Sequence, residues 1–197
     1  MSAPLRRAPV ARLAPRAHLL ALAGLVAVVT LARGASAAFV ASARGASVEL
    51  KVHASGDLAI VGTTSELRTS DAEGHFRVIV PLAKLTTGIS LRDAHMRDKY
   101  LEVQKYPEAT LDVARADLRV PQPGGGTSAT LKGTLTLHGV SKPVDVKYAV
   151  RADGAVYHVD GELHIDMREF GIIVPAYFGV TVKPATDIAV KFDATGS

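Results

Sequence analysis

The polar side chains best suited to chemistry sit in one short stretch, Arg92-Asp93-Ala94-His95-Met96-Arg97. A carboxylate, an imidazole and two guanidinium groups this close together could hold an anion through charge-assisted hydrogen bonds, which are roughly twice as strong as neutral ones. His95 could also serve as a general acid or base. The same residues have a plainer use. Ser90 with Asp93 three positions on reads as a capping-box-like helix start. Asp93 and Arg97 have the i,i+4 spacing of a favourable helix pair. From spacing alone the two readings stay open.

The remaining histidines offer less. His158 and His164 share a wet strand face with Asp160, Glu162 and Asp166. No spacing typical of zinc ligands appears, so a solvated outer face is the better account and no metal is expected. His138 stands beside Gly139 in a turn, where a polar residue needs no further role. There is no nucleophile elbow, no phosphate-cradling glycine loop and no His-Glu-x-x-His. The chain has no cysteine, which excludes disulfides, thiolate metal sites and a cysteine nucleophile. No cofactor is implied.

The elements that must position these groups are almost all strands. Val48, Leu50 and Val52 alternate with Glu49, Lys51 and His53, and Phe76, Val78 and Val80 with His75, Arg77 and Ile79. Leu131–Leu137, Val144–Val150, Tyr157–Ile165 and Ile188–Phe192 repeat the pattern. A period of two marks strands with one apolar and one wet face, the signature of antiparallel sheets. Asp153-Gly154 reads as a tight hairpin turn, His138–Pro143 as another connection, and Pro121–Ser128 as a flexible glycine-rich loop. Gly133 and Gly161 fall on apolar faces, where a wall bends or a ligand approaches. Only Ser90–Val103 reads as helix, which Pro107 forbids from continuing. The period-two pattern is compatible with a two-sheet sandwich or a closed barrel.

Residues 1–37 are expected to be a signal peptide. Met1–His18 holds Arg6, Arg7, Arg12 and Arg16 and no acid, Leu19–Ala32 is apolar apart from Thr30, and Ala35-Ser36-Ala37 has the small-residue cleavage pattern. The apolar run is shorter than the roughly 20 residues a membrane span needs. Export to the periplasm or beyond follows, with cleavage near Ala37/Ala38. Residues 1–37 take five of the 23 basic residues and none of the 19 acidic ones, so residues 38–197 hold 18 against 19, a net charge of −1. That balance argues against nucleic-acid binding. A single domain over residues 38–197 is long enough to bury a full core.

Two stretches carry a family resemblance. Thr87–Val113 (TGISLRDAHMRDKYLEVQKYPEATLDV) and Gly133–Val146 (GTLTLHGVSKPVDV) resemble, in order and separation, the two signatures of the YceI-like lipid-binding proteins. Phe170-Gly171 and Tyr177–Lys183 resemble that family's last hairpin region. The resemblance implies an all-β fold, a single antiparallel lipocalin-like β-barrel of about eight strands with one short helical segment, wide enough for a slim ligand. It places Arg92–Lys99 near one end of the barrel. Arg92, Asp93, His95 and Arg97 would then stand at the mouth of the cavity, toward a diphosphate or quinone head group. Phe76, Leu135, Tyr148, Gly161, Leu163, Phe170, Tyr177 and Phe178 would face its interior.

Three functions follow from this. The first is an exported carrier that sequesters an isoprenoid or other long-chain lipid, with transient contact to a membrane surface. The second is a lipid-modifying hydrolase or isomerase using His95 as acid/base. The third is an interaction module whose barrel is simply packed. The resemblance favours the first, a binding protein that catalyses nothing.

Overall fold

The computed structural model describes residues 39–177 and 180–196. The signal-peptide reading, Phe178 and the side chain of Tyr177 lie outside the described residues. The described residues fall in one compact unit, Ser36–Ser197. Its strands are β1 (Phe39–Ala54), β2 (Ala59–Thr64), β3 (Arg68–Ala72), β4 (His75–Pro81), β5 (Glu108–Ala114), β6 (Gly126–Leu137), β7 (Val140–Asp153), β8 (Val156–Asp166), β9 (Ala176–Tyr177) and β10 (Val180–Gly196). Among the described residues one α-helix, α1 (Ser90–His95), precedes a wider helical turn over Met96–Tyr100.

Nine strands form one antiparallel path, β2-β1-β10-β8-β7-β6-β5-β4-β3, and the short β9 pairs with β10. The sheet curls on itself. β3, last in the path, returns beside β1. Thr63 of β2 exchanges two backbone hydrogen bonds with Thr86, just beyond β4 (2.8 and 3.0 Å). The expected antiparallel barrel architecture is present, with more strands than about eight.

The alternating residues build this wall. Val146, Tyr148, Val150 and Ala152 of β7 stand opposite Leu163, Gly161, Val159 and Tyr157 of β8, all on the inner face. Lys147, Ala149, Arg151, Asp160, Glu162 and His164 point out. Phe170 and Leu85 are fully buried among them.

Tight hairpins set the register. Glu73-Gly74 (φ 56°, 79°) and His138-Gly139 (φ 51°, 76°) are two-residue loops with both residues left-handed, as the twist of a hairpin favours.

Four local expectations need correction. The β6–β7 connection is His138-Gly139 alone, because Val140–Pro143 pair with β6. The β7–β8 loop is Gly154-Ala155, one residue later than read, since Asp153 pairs with Val156. Gly126–Ser128 belong to β6 rather than to a loop, and Gly124 and Gly125 are pinned to Ala152 by backbone hydrogen bonds of 3.1 and 2.9 Å. The helix ends at His95 and its extension at Tyr100. Glu102 has φ 45°, and a left-handed residue terminates a helix as a capping glycine would, well before Pro107.

Candidate functional site

The barrel interior holds two cavities in series. The larger, about 420 Å³, lies at the α1 end. Leu50 and Val52 of β1, Ile60 of β2, Leu137 of β6, Ile165 of β8 and Val182 of β10 line its wall, and Ile89, Leu91, Arg92, His95 and Met96 cover it. The smaller, about 100 Å³, lies further along the same inner faces, between Phe76, Leu131, Tyr148, Gly161, Leu163 and Phe192. On β6, Leu131 lines the small cavity and Leu137 the large one. On β10 the corresponding pair is Val190 and Thr186. Leu135 and Ile188 stand between them and line neither, so the partition falls at the level of Leu135, Leu163, Ile165 and Ile188.

The small cavity is apolar throughout. The hydroxyl of Tyr148, its polar tip, accepts a hydrogen bond from the Arg119 amide at 2.8 Å. Gly161 contributes space: a Cβ there would meet nothing nearer than the Val190 carbonyl at 3.9 Å. Gly133 does the opposite, since a Cβ would come within 2.9 Å of Val113 Cγ1. The first glycine opens volume and the second lets β5 pack close. Leu135 and Phe170 are buried wall and core residues outside both linings. Phe76, Tyr148, Gly161 and Leu163 do line the small cavity.

The charged cluster divides. Arg92 and His95 line the large cavity near α1, with Thr87, Tyr100 and Thr186 as its other polar side chains. Asp93 and Arg97 are outside that lining. Asp93 is buried (6% exposed) and its carboxylate accepts from the Thr86 hydroxyl at 2.5 Å, the Thr87 amide at 2.7 Å and the Thr87 hydroxyl at 2.5 Å. The capping expectation is therefore corrected. Ile89 is the residue at the N-cap, with no side-chain cap, and Asp93 ties α1 back to the loop before it. Burial pushes the Asp93 carboxyl up, but the Thr86 and Thr87 hydrogen bonds and the Arg97 charge outweigh it and hold the group below the ordinary aspartate range. Arg92 donates to the Thr87 hydroxyl and carbonyl at 2.7 and 2.9 Å, and Arg97 to the Leu85 carbonyl at 3.3 Å.

His138 has more than a turn to hold. Its Nε2 is 2.6 Å from Glu102 Oε2 and its Nδ1 3.1 Å from the Phe170 carbonyl. Both neighbours offer acceptor oxygens to the ring nitrogens they face. Tyr106 packs edge-on against the ring, centroids 4.7 Å apart. These contacts join the segment after α1, the β6–β7 hairpin and the turn after β8 at the wall of the large cavity. The outer-face histidines pair with strand neighbours: His158 with Asp193, His164 with Asp187, and His75 with Asp112 (2.6 Å each). Among the described residues no group of three or more His, Cys, Asp or Glu is placed to hold a metal.

Residues 35–195 match the YceI-like domain. The chain belongs to the YceI-like family. It is 30% identical over 139 residues to a UPF0312 protein of Pseudomonas savastanoi pv. phaseolicola, covering 67% of this chain and 68% of that one. A UPF0312 protein of Pseudomonas syringae pv. tomato is 31% identical over the same length. Two solved structures share the fold. A polyisoprenoid binding domain from Saccharophagus degradans superposes with a TM-score of 0.70 at 18% identity, over 82% of this chain and 99% of that one. BcnA of Burkholderia cenocepacia gives 0.64 at 20%, over 79% and 99%.

The structure gives the two signature stretches of this YceI-like chain a physical meaning. Thr87–Val113 and Gly133–Val146 are far apart in sequence, yet Glu102 and Tyr106 of the first close on His138 of the second. The sequence reading missed Glu102 and assigned His138 to a turn alone. Only the left-handed requirement of a two-residue loop, met here by a histidine rather than by asparagine or glycine, marked the position as unusual.

Proposed function

We propose that this protein is an exported carrier that binds the hydrocarbon tail of an isoprenoid-type lipid inside its barrel and catalyses nothing. The observation that carries the reading is the pair of apolar cavities in series along one inner face, with Arg92 and His95 lining the α1 end. The larger falls within the roughly 300–1,000 Å³ typical of ligand sites. The tail would run past Leu137 and Leu135 toward Phe76 and Gly161, with the head group left near Arg92 and His95. The shared fold of the Saccharophagus polyisoprenoid binding domain supports the same ligand class. Residues 1–37 support export.

Burial dominates the energetics. Each methylene removed from water contributes about 0.8 kcal/mol, so one five-carbon isoprene unit contributes up to about 4 kcal/mol. An exposed ion pair contributes about 0–1 kcal/mol. The tail therefore sets affinity, and Arg92 and His95 set the preferred head group.

Titration calorimetry with two probes tests this. A polyprenyl hydrocarbon without a head group should bind, and inorganic diphosphate alone should not. The opposite result overturns the proposal. Turnover of bound lipid that His95→Ala abolishes would establish an enzyme instead.

A further inference from the structure

Among the described residues, four large hydrophobic side chains are exposed: Leu58 (49%), Ile89 (53%), Leu91 (58%) and Ile173 (68%). Single exposed apolar residues scattered over a surface need no explanation. These are not scattered. Leu58, Ile89 and Leu91 all line the larger cavity, and Ile173 follows Ile172, another lining residue, in the loop that ends at the lining residue Pro175. Three separate chain segments thus bring them to one place: the β1–β2 turn, α1 with its lead-in, and the loop after Phe170. The outward positions of the strands carry Lys132, Asp145, Lys147, Glu162, His164 and Lys191 instead.

We propose that this rim docks the protein, cavity mouth down, on the surface of a phospholipid bilayer containing anionic lipid. The proposal rests on the lipid-carrier reading and adds to it the route by which the tail enters. Leu58, Ile89 and Leu91 belong both to the cavity lining and to the exposed surface. A tail leaving a bilayer beneath the rim passes from hydrocarbon to cavity without crossing water, which an entry through the polar barrel wall would not allow. Charge agrees. From Lys84 to Tyr100 the chain carries Lys84, Arg92, Arg97 and Lys99 against Asp93 and Asp98, and Asp93 is buried. Basic excess beside an apolar surface suits an anionic interface. No helix among the described residues is long and apolar enough to span a bilayer.

The sequence supplies its own reporter, because it contains no tryptophan. Ile173→Trp places one indole on the rim at a position outside the cavity lining. Adding vesicles of equimolar phosphatidylcholine and phosphatidylglycerol should shift its emission to the blue and expose it to quenching by brominated lipid. In sedimentation with the same vesicles, Ile173→Asp should weaken binding by about tenfold, since association scales with buried apolar area and charge. Its affinity for a soluble polyprenyl hydrocarbon, measured without vesicles, should match the wild type. Lys147→Ser on the outer wall should sediment as the wild type does.

An indole unmoved by vesicles, or wild-type sedimentation by Ile173→Asp, overturns docking while leaving tail binding standing. Vesicle binding without any affinity for the hydrocarbon would sink the carrier reading alone. A dimer that Ile173→Asp dissociates, with no vesicle binding by the wild type, would assign the rim to a second copy of the chain.

Discussion

Asp93 shows how a residue's type can be read correctly and its work misread. Local spacing offers it Ser90 and Arg97 as partners, because helix rules see only three and four residues along. The Arg97 charge does act on it, but its hydrogen bonds run the other way, to Thr86 and Thr87, since the loop before α1 folds back over the first turn and presents two hydroxyls and an amide. No periodicity encodes that fold-back. The consequence is a pH dependence. The native carboxyl titrates below the ordinary aspartate value of about 3.9. A group depressed in the folded state stabilises fully above its unfolded pKa and loses that contribution as pH falls through the lower, folded one. Asp93→Asn should therefore cost about 1.5–3 kcal/mol at neutral pH, the range for hydrogen bonds to a charged group. The gap in Tm between wild type and variant should narrow below about pH 4. Thermal melts across that range check it, and an undiminished gap in acid would show that the charge is not the source.

At the scale of elements, the strands were legible and the ends of the helix were not. Val144, Val146 and Tyr148 alternate with Asp145 and Lys147 because the β6–β8 wall has one dry face, and a period of two records that directly. The helix terminus lies at the left-handed Glu102, whose side chain reaches His138, 36 residues away, and no local rule reaches that far. The hairpin bearing His138 can be tested at its neighbour. Gly139 has φ 76°, and a Cβ there would sit 2.4 Å from Tyr106 Cε1. Gly139→Ala must adopt a left-handed conformation at a cost of roughly 1–2 kcal/mol and also displace Tyr106 from the His138 ring. A fall in Tm of at least about 2 °C is expected for a chain this size. Amide exchange should quicken around Leu101–Val103, where the displaced ring loosens the Glu102 contact, and not in the β7–β8 hairpin. Equal acceleration in both places would mean that the damage is global and that the His138 junction is not a separate unit.

For the whole molecule the decisive quantity is the length of the apolar path. The sequence identified the residues facing inward, Phe76, Tyr148, Gly161 and Leu163 among them, but not how many leave space between them. That depends on which side chains meet across the barrel. Leu135 and Ile188 line neither cavity and stand between the two, level with Leu163 and Ile165, and Gly161 withholds a side chain beyond them. Two substitutions act on this path in opposite senses. Leu135→Ala thins the partition and should extend the tail length the protein accepts, at a stability cost of about 2–5 kcal/mol typical of such truncations. Gly161→Phe should fill the far cavity. Its backbone is extended and its Cβ meets no close neighbour, so the ring enters open volume rather than strained packing. Long-chain polyprenyl binding should then fall toward that of a short chain. With about four carbons excluded at about 0.8 kcal/mol each, the loss is roughly two orders of magnitude, while short-chain binding in the α1-end cavity stays near the wild-type value. Arg97→Ala, which removes a hydrogen bond to the Leu85 carbonyl outside the cavity lining, should change either affinity by less than about tenfold. The comparison of chain lengths is what discriminates. If Gly161→Phe weakens short and long chains equally, the two cavities do not act as consecutive parts of one tail site.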